Sequence, residues 1–190
     1  MKILSRTILV ILICLLFVSC SVTDNSSNES APDPHENSVE SYHYELEQTE
    51  KILLKIIECF DNKDKESIKA MFSVKIAKEF DLDSQIDKAF EIYNGKSVSY
   101  EINKGSTAGS AKTDGTYTFL EYDGKLENIK MDNSKSFSIR MSRCVVNDDD
   151  PDEIGLTRIT LRRDDGVKLA PIGKVSQNDT FYEYDAPELP

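Results

Sequence analysis

An α+β fold, with N-terminal helices packed on one face of an antiparallel sheet, follows from three features of the sequence. Between Leu46 and Phe60 the residues Leu46, Thr49, Leu53, Ile56, Ile57 and Phe60 step by three and four, the spacing of one helical face. After Gly95 the repeat shortens to two. The helical pattern is complete before the alternating one begins, so helices and strands are segregated along the chain.

Each element has its own signal. The first helix is expected over about Tyr42 to Phe60, and Asp61-Asn62-Lys63-Asp64 breaks it. Asp64 can cap a second short helix carrying Ile68, Met71 and Phe72, and Ser73 a third with Ile76, Ala77 and Phe80. A fourth starts near Asp83, presents Ile86, Ala89, Phe90 and Tyr93, and stops at Asn94-Gly95. Val98, Tyr100 and Ile102 then alternate with polar residues in a half-buried strand, and Gly105 to Gly115 reads as a polar connection. In the next strand Tyr117, Phe119 and Glu121 share one face, and Asp123-Gly124 is a hairpin signal. A long strand places Phe137, Ile139, Met141, Arg143 and Val145 on one side and Ser138, Arg140, Ser142 and Cys144 on the other. Asn147 to Asp152 turns the chain into a strand over Leu156–Arg163, and a last strand covers Val167–Ile172.

The N-terminus carries a different message. Lys2 and Arg6 precede an apolar run from Ile8 to Val18, and Ser19-Cys20 follows at once. That run is too short for a bilayer, which takes ~20 residues, so it is the apolar part of an export signal. Phe17-Val18-Ser19-Cys20 resembles the bacterial lipobox, with Phe17 where that pattern prefers leucine. The resemblance implies removal of residues 1–19 and lipid on Cys20, where two or three acyl chains anchor stably because each buried methylene adds about 0.8 kcal/mol. Residues 20–40 are rich in Ser, Asn, Asp, Glu and Pro and read as a flexible spacer, residues 41–176 as one domain, and residues 177–190 as an acidic irregular tail. The expected location is the cell membrane, lipid-anchored, on its extracytoplasmic face.

The formal net charge of −11 becomes −13 once Lys2 and Arg6 leave with the signal. Such a charge disfavours nucleic acid and adsorption to anionic lipid, so membrane contact is assigned to the anchor. Cys59 and Cys144 remain in the domain; export permits a disulfide between them, and free packing as small hydrophobes is the alternative.

The passage from Cys59 to Ser73, with the Asp83–Gly95 helix and the strands after it, resembles nuclear transport factor 2-like domains, and within them bacterial lipoproteins grouped as domain of unknown function 5104. The resemblance covers about residues 42–175. It implies a cone in which a curved sheet wraps around the helices, its mouth holding a small ligand or filled by side chains. Enzymes of that fold place an Asp or a His–Asp pair inside the cone, whereas His35 falls in the spacer here and His43 at the start of the first helix. Glu121 is the carboxylate expected on the apolar strand face, with Arg143 nearby and the Tyr100 and Tyr117 hydroxyls on the same side. Glu121 and Arg143 are then either a satisfied ion pair or, with the tyrosines, a polar pocket. No catalytic residue is assigned.

Asp148 to Glu153 is acidic, but a calcium loop counted from Asp148 needs glycine at Glu153 and glutamate at Ile159, so a solvated turn is expected and no metal or cofactor is assigned. The resulting expectation is a non-enzymatic lipoprotein binding a small ligand or a partner protein. The alternatives are an isomerase or lyase using a cone carboxylate, and a structural module that forms a homodimer through the sheet face around Ser99, Ser138, Arg140 and Arg158.

Overall fold

A computed structural model describes residues 31–164 and 169–174. The signal, Cys20, the spacer as far as residue 30 and the tail after residue 176 lie outside the described residues. Pro32 opens the unit that contains every helix and strand below.

Each described helix starts at an oxygen-bearing side chain. Ser38 accepts from the Ser41 N–H ahead of α1 (Val39–Asn62), and Asp64 from Ser67 ahead of α2 (Lys65–Met71). Ser73 accepts from Ile76 ahead of α3 (Val74–Glu79), and Asp81 from Ser84 ahead of α4 (Leu82–Ile92). Such caps are worth ~1 kcal/mol each, because they satisfy N–H groups that have no partner within the helix. They also set the boundaries: α1 begins before Tyr42 because Ser38 caps it, and α4 before Asp83 because Asp81 does. Among the described residues no helix is long and apolar enough to cross a membrane.

Lys63 ends α1 in the left-handed conformation, φ 56°. Its ammonium then reaches the end of α4, donating to the Phe90 carbonyl at 2.7 Å and to that of Tyr93, over both rings at 5.1 and 5.4 Å from their centroids. The cation therefore closes a helix terminus whose carbonyls would otherwise lack partners.

The sheet is antiparallel and ordered β1-β3-β4-β5-β6, with β2 also paired to β3. Its strands are β1 (Ser97–Asn103), β2 (Thr107–Ala111), β3 (Tyr117–Met131), β4 (Ser136–Asn147), β5 (Gly155–Arg163) and β6 (Leu169–Gly173). A short 3-10 turn, Pro151–Glu153, links β4 to β5. Three expectations are corrected. The Gly105–Gly115 connection contains β2, whose five small residues pair with β3 and are all exposed. In β1 only Ile102 packs against the core, while Val98 and Tyr100 are exposed, so that strand is an edge rather than half-buried.

The third correction concerns Asp123-Gly124, which is no turn. β3 runs straight through it, and the hairpin lies at Asp132–Lys135, where Ser134 has φ 66° and the Met131 N–H bonds to the Lys135 carbonyl at 2.9 Å. Gly124 is required by helix approach: a Cβ there would sit 2.7 Å from Thr49 Cγ2 and 3.0 Å from Leu53 Cδ1.

Above that contact Leu53, Ile56 and Phe60 of α1 join Leu126 and Ile129 of β3, Phe137, Ile139 and Met141 of β4, and Ile159 and Leu161 of β5 in one buried core. Tyr93 joins the same core, its ring 5.2 Å from Phe60 and 5.4 Å from Phe137, and donates its hydroxyl to Asp61 at 2.7 Å. Each such side chain contributes roughly 1.5–3 kcal/mol by leaving water. The short helices are tied to the far strands by the Ser73 N–H on the Leu156 carbonyl and by the Gly173 N–H on Gln85.

Gly124→Ala is expected to lower stability by about 1–3 kcal/mol in urea unfolding, the usual cost of overpacking a filled contact. Adding Thr49→Ala, which removes the opposing methyl, should recover part of the loss; an unchanged unfolding midpoint in Gly124→Ala would show that α1 yields freely there.

Candidate functional site

α1 crosses the inner face of β3 and β4 with Thr49 over Gly124, so Glu45, one turn earlier, reaches β4. There it meets Arg143, whose Nη2 donates to Glu45 Oε2 at 2.5 Å and lies 3.4 Å from the Glu45 carbonyl oxygen. The two side chains are only 6% and 13% exposed, so water screens the pair little. The guanidinium carbon lies 5.9 Å from the centroid of the Tyr122 ring, a cation–π arrangement, and Tyr42 stands 6.4 Å beyond Tyr122. Burial pushes the Tyr122 phenol up to about 12, so it stays a neutral donor. Leu120, Val145 and Val146 form an apolar floor, with Leu46 and Tyr117 against it.

Two buried polar atoms here have no hydrogen-bond partner, Arg143 Nε and Thr49 Oγ1. A cation held through one arm, with a phenol and aromatic faces around it, can recognise a polar or acidic group.

The four residues expected to share a pocket are divided among three places. Tyr117 and Arg143 meet the inner cluster. Glu121 projects from the opposite face of β3, because Leu120 and Tyr122 on either side of it are buried inward. The cause is an irregularity in the β2–β3 ladder between Ser110 and Ala111, which moves Tyr117 to the side of Leu120 and breaks the alternation that had joined it to Glu121. Tyr100 lies opposite the C-terminal half of β3, on the order of 30 Å of strand away from Tyr117. Glu45 and Tyr122 were missed, yet Glu45, Thr49 and Leu53 step by four, which extends the apolar stripe back to a carboxylate.

Glu121 sits outside with Asp123, Arg158, Lys174 and Ser142, and burial followed by repulsion from Asp123 raises its pKa. Asp123 there accepts from Arg140 at 2.5 Å and from Ser142 at 2.6 Å. A base at Glu121 therefore faces away from Arg143 and Tyr117, and the carboxylate that meets Arg143 is Glu45, which is engaged in the ion pair. The acidic turn is likewise more than solvated. Lys75 binds Asp150 at 2.7 Å, Lys174 binds Glu153 at 3.0 Å, and Lys78 and Lys112 approach Asp152 and Asp148 at 3.5 Å.

Cys59 and Cys144 are free, buried thiols. They lie in separate surroundings: Lys55, Asp64 and Ser67 surround Cys59, while Glu153, Glu121 and Lys174 surround Cys144. Of the two alternatives, a disulfide or free packing as small hydrophobes, the structure has the second. Burial raises both thiols, that of Cys144 to about 11.

Glu45→Ala should cost about 3–5 kcal/mol in chemical denaturation, since it leaves the Arg143 charge buried and unpaired, whereas Glu45→Leu with Arg143→Met should restore near-parental stability. Equal loss in both would show that shape rather than charge holds the site. Alkylation of the native protein at pH 8 should leave Cys59 and Cys144 unlabelled, and urea should release both as free thiols; a disulfide-linked peptide on mapping would contradict the structure.

No curated protein matches the chain. A family model matches residues 55–168, which takes in Tyr117, Glu121, Tyr122 and Arg143 but begins after Glu45 and His35. Since that match covers more than half of the chain, the chain belongs to the family described as Domain of unknown function (DUF5104).

Proposed function

We propose that this protein is a membrane-anchored lipoprotein of the extracytoplasmic face, held by lipid on Cys20, whose domain binds a small polar ligand or a partner protein without catalysing a reaction. The observation that carries the reading is the N-terminal sequence: a basic start, the short apolar run Ile8 to Val18, Ser19-Cys20, and a polar stretch behind it. Two acyl chains give anchoring that one does not, and the acidic domain then stays off an anionic surface at the end of its spacer.

The domain is read as nuclear transport factor 2-like, in support of which the helices precede an antiparallel sheet and lie on one face of it. Binding is assigned to the region around Arg143 and Tyr122, where a partly engaged guanidinium, phenol hydroxyls and an apolar floor are recognition chemistry. The orphaned Arg143 Nε and Thr49 Oγ1 support the same assignment, because buried polar atoms ordinarily have partners.

Cells fed labelled palmitate should yield labelled protein in the membrane fraction, and Cys20→Ala should lose the label and most of the membrane association. Undiminished membrane association in Cys20→Ala, or cleavage at another bond, would overturn the anchoring.

A further inference from the structure

The segment before α1 is bound to the end of the sheet. Residues 33–36 form a tight turn in which the Glu36 N–H bonds to the Asp33 carbonyl at 3.1 Å and the His35 N–H to Asp33 Oδ1 at 2.9 Å. The Ser41 hydroxyl donates to the same carbonyl at 3.2 Å. At the head of β3 the Tyr117 N–H donates to the His35 carbonyl at 2.9 Å, an added backbone rung. The last residues of the expected spacer thus belong to the folded unit.

The imidazole of His35 lies between two carboxylates. Nδ1 is 3.0 Å from Asp33 Oδ1 and Nε2 is 3.2 Å from Asp148 Oδ1. Asp148 belongs to the turn after β4 and is itself fixed by its N–H on the Thr118 carbonyl at 2.9 Å. A neutral imidazole has one N–H and one lone pair, so in either tautomer one nitrogen would point its lone pair at a carboxylate. Only the imidazolium has a donor for each. Other charges stand close by: Glu36 lies in the same turn, Asp149 follows Asp148, and the Lys112 ammonium stands 3.5 Å from Asp148 Oδ2.

We infer that His35 is a proton-operated clasp, whose imidazolium joins Asp33 to Asp148 and holds residues 32–38 on the sheet, and whose neutral form releases them. Hydrogen bonding to Asp33 first, and to Asp148 after an opposing effect of burial, raises the His35 pKa above its ordinary value. Because the folded value is the higher one, the clasp's contribution is complete below the ordinary imidazole pKa and is lost as pH rises through the raised one. On the acid side, hydrogen bonds from His35 lower the Asp33 pKa, so that carboxylate stays charged to below its ordinary range. The ring is 42% exposed, so protons reach it from solvent. Release frees residues 32–38, about 25 Å of chain when extended. That they lengthen a membrane tether rests on the proposed anchoring; the clasp itself does not.

Amide protection of His35 to Ser41 and of Tyr117, corrected for intrinsic exchange, tests this in the full-length chain between pH 5.5 and 8.5. Protection should fall severalfold with rising pH. In His35→Gln it should be low and flat, and in Asp148→Asn the fall should move to lower pH, with core amides unchanged in both. Protection independent of pH in the parent chain, or a pH-dependent fall that persists in His35→Gln, overturns the clasp. Neither result bears on Cys20, whose palmitate label is read separately.

Discussion

Contact between α1 and β3 at Gly124 is the constraint from which the rest of the structure follows. With Thr49 Cγ2 and Leu53 Cδ1 crowding the place a Cβ would occupy, the helix lies as close to the strand as backbone permits. That depth puts Leu53, Ile56 and Phe60 among the inward residues of β4 and β5. It also brings a carboxylate at Glu45 within reach of a guanidinium at Arg143, two groups far apart in the chain. The buried ion pair is thus a consequence of how deep the helix sits, and it shares in the specificity of that packing.

The helical half was legible because its determinants are local. Asp64 and Ser73 cap the helices expected after them, and Ser38 and Asp81 set the other two starts a little ahead of those expected. The apolar stripe of α1 buries Thr49, Leu53, Ile56, Ile57 and Phe60, with Leu46 partly buried. The strand half was legible where one face is apolar, as in Phe137, Ile139 and Met141, and failed where the determinant is remote. Gly124 follows an aspartate and so reads as a turn, although its purpose is set by Thr49, which no local window includes. β2 is built of Thr107, Ala108, Gly109, Ser110 and Ala111, which contribute backbone hydrogen bonds and no buried side chain, so no hydrophobic pattern marks it. Glu121 was assigned to the wrong face because strand parity holds only until a bulge intervenes, and the ladder around it is irregular. Of the expected site, Arg143 and Tyr117 each reach the inner cluster around Tyr122, while the partner that holds Arg143 comes from α1.

The acidity of the chain is organised as well as abundant. The turn after β4 gathers Asp148, Asp150, Asp152 and Glu153, and draws lysines from the β2–β3 connection, from α3 and from the end of β6. Single exposed pairs are worth little. Several converging on one turn fix the segment against elements far away in sequence, and Asp148, held from one side by Lys112, offers its other oxygen to His35.

The split edge of β3 has a consequence for association between molecules. β1 and β2 both pair with that edge, so the outer rim they form is interrupted between Asn103 and Thr107 instead of presenting one long strand. Lys96 and Lys104 flank β1, and Lys104 and Lys112 flank β2. Two copies laid rim to rim through β1, in antiparallel register about Tyr100, would set lysine against lysine, and β2 offers small residues with no ridge to interlock. Short strands ended by cations are a poor template for sheet growth, so the rim exposes backbone without inviting aggregation.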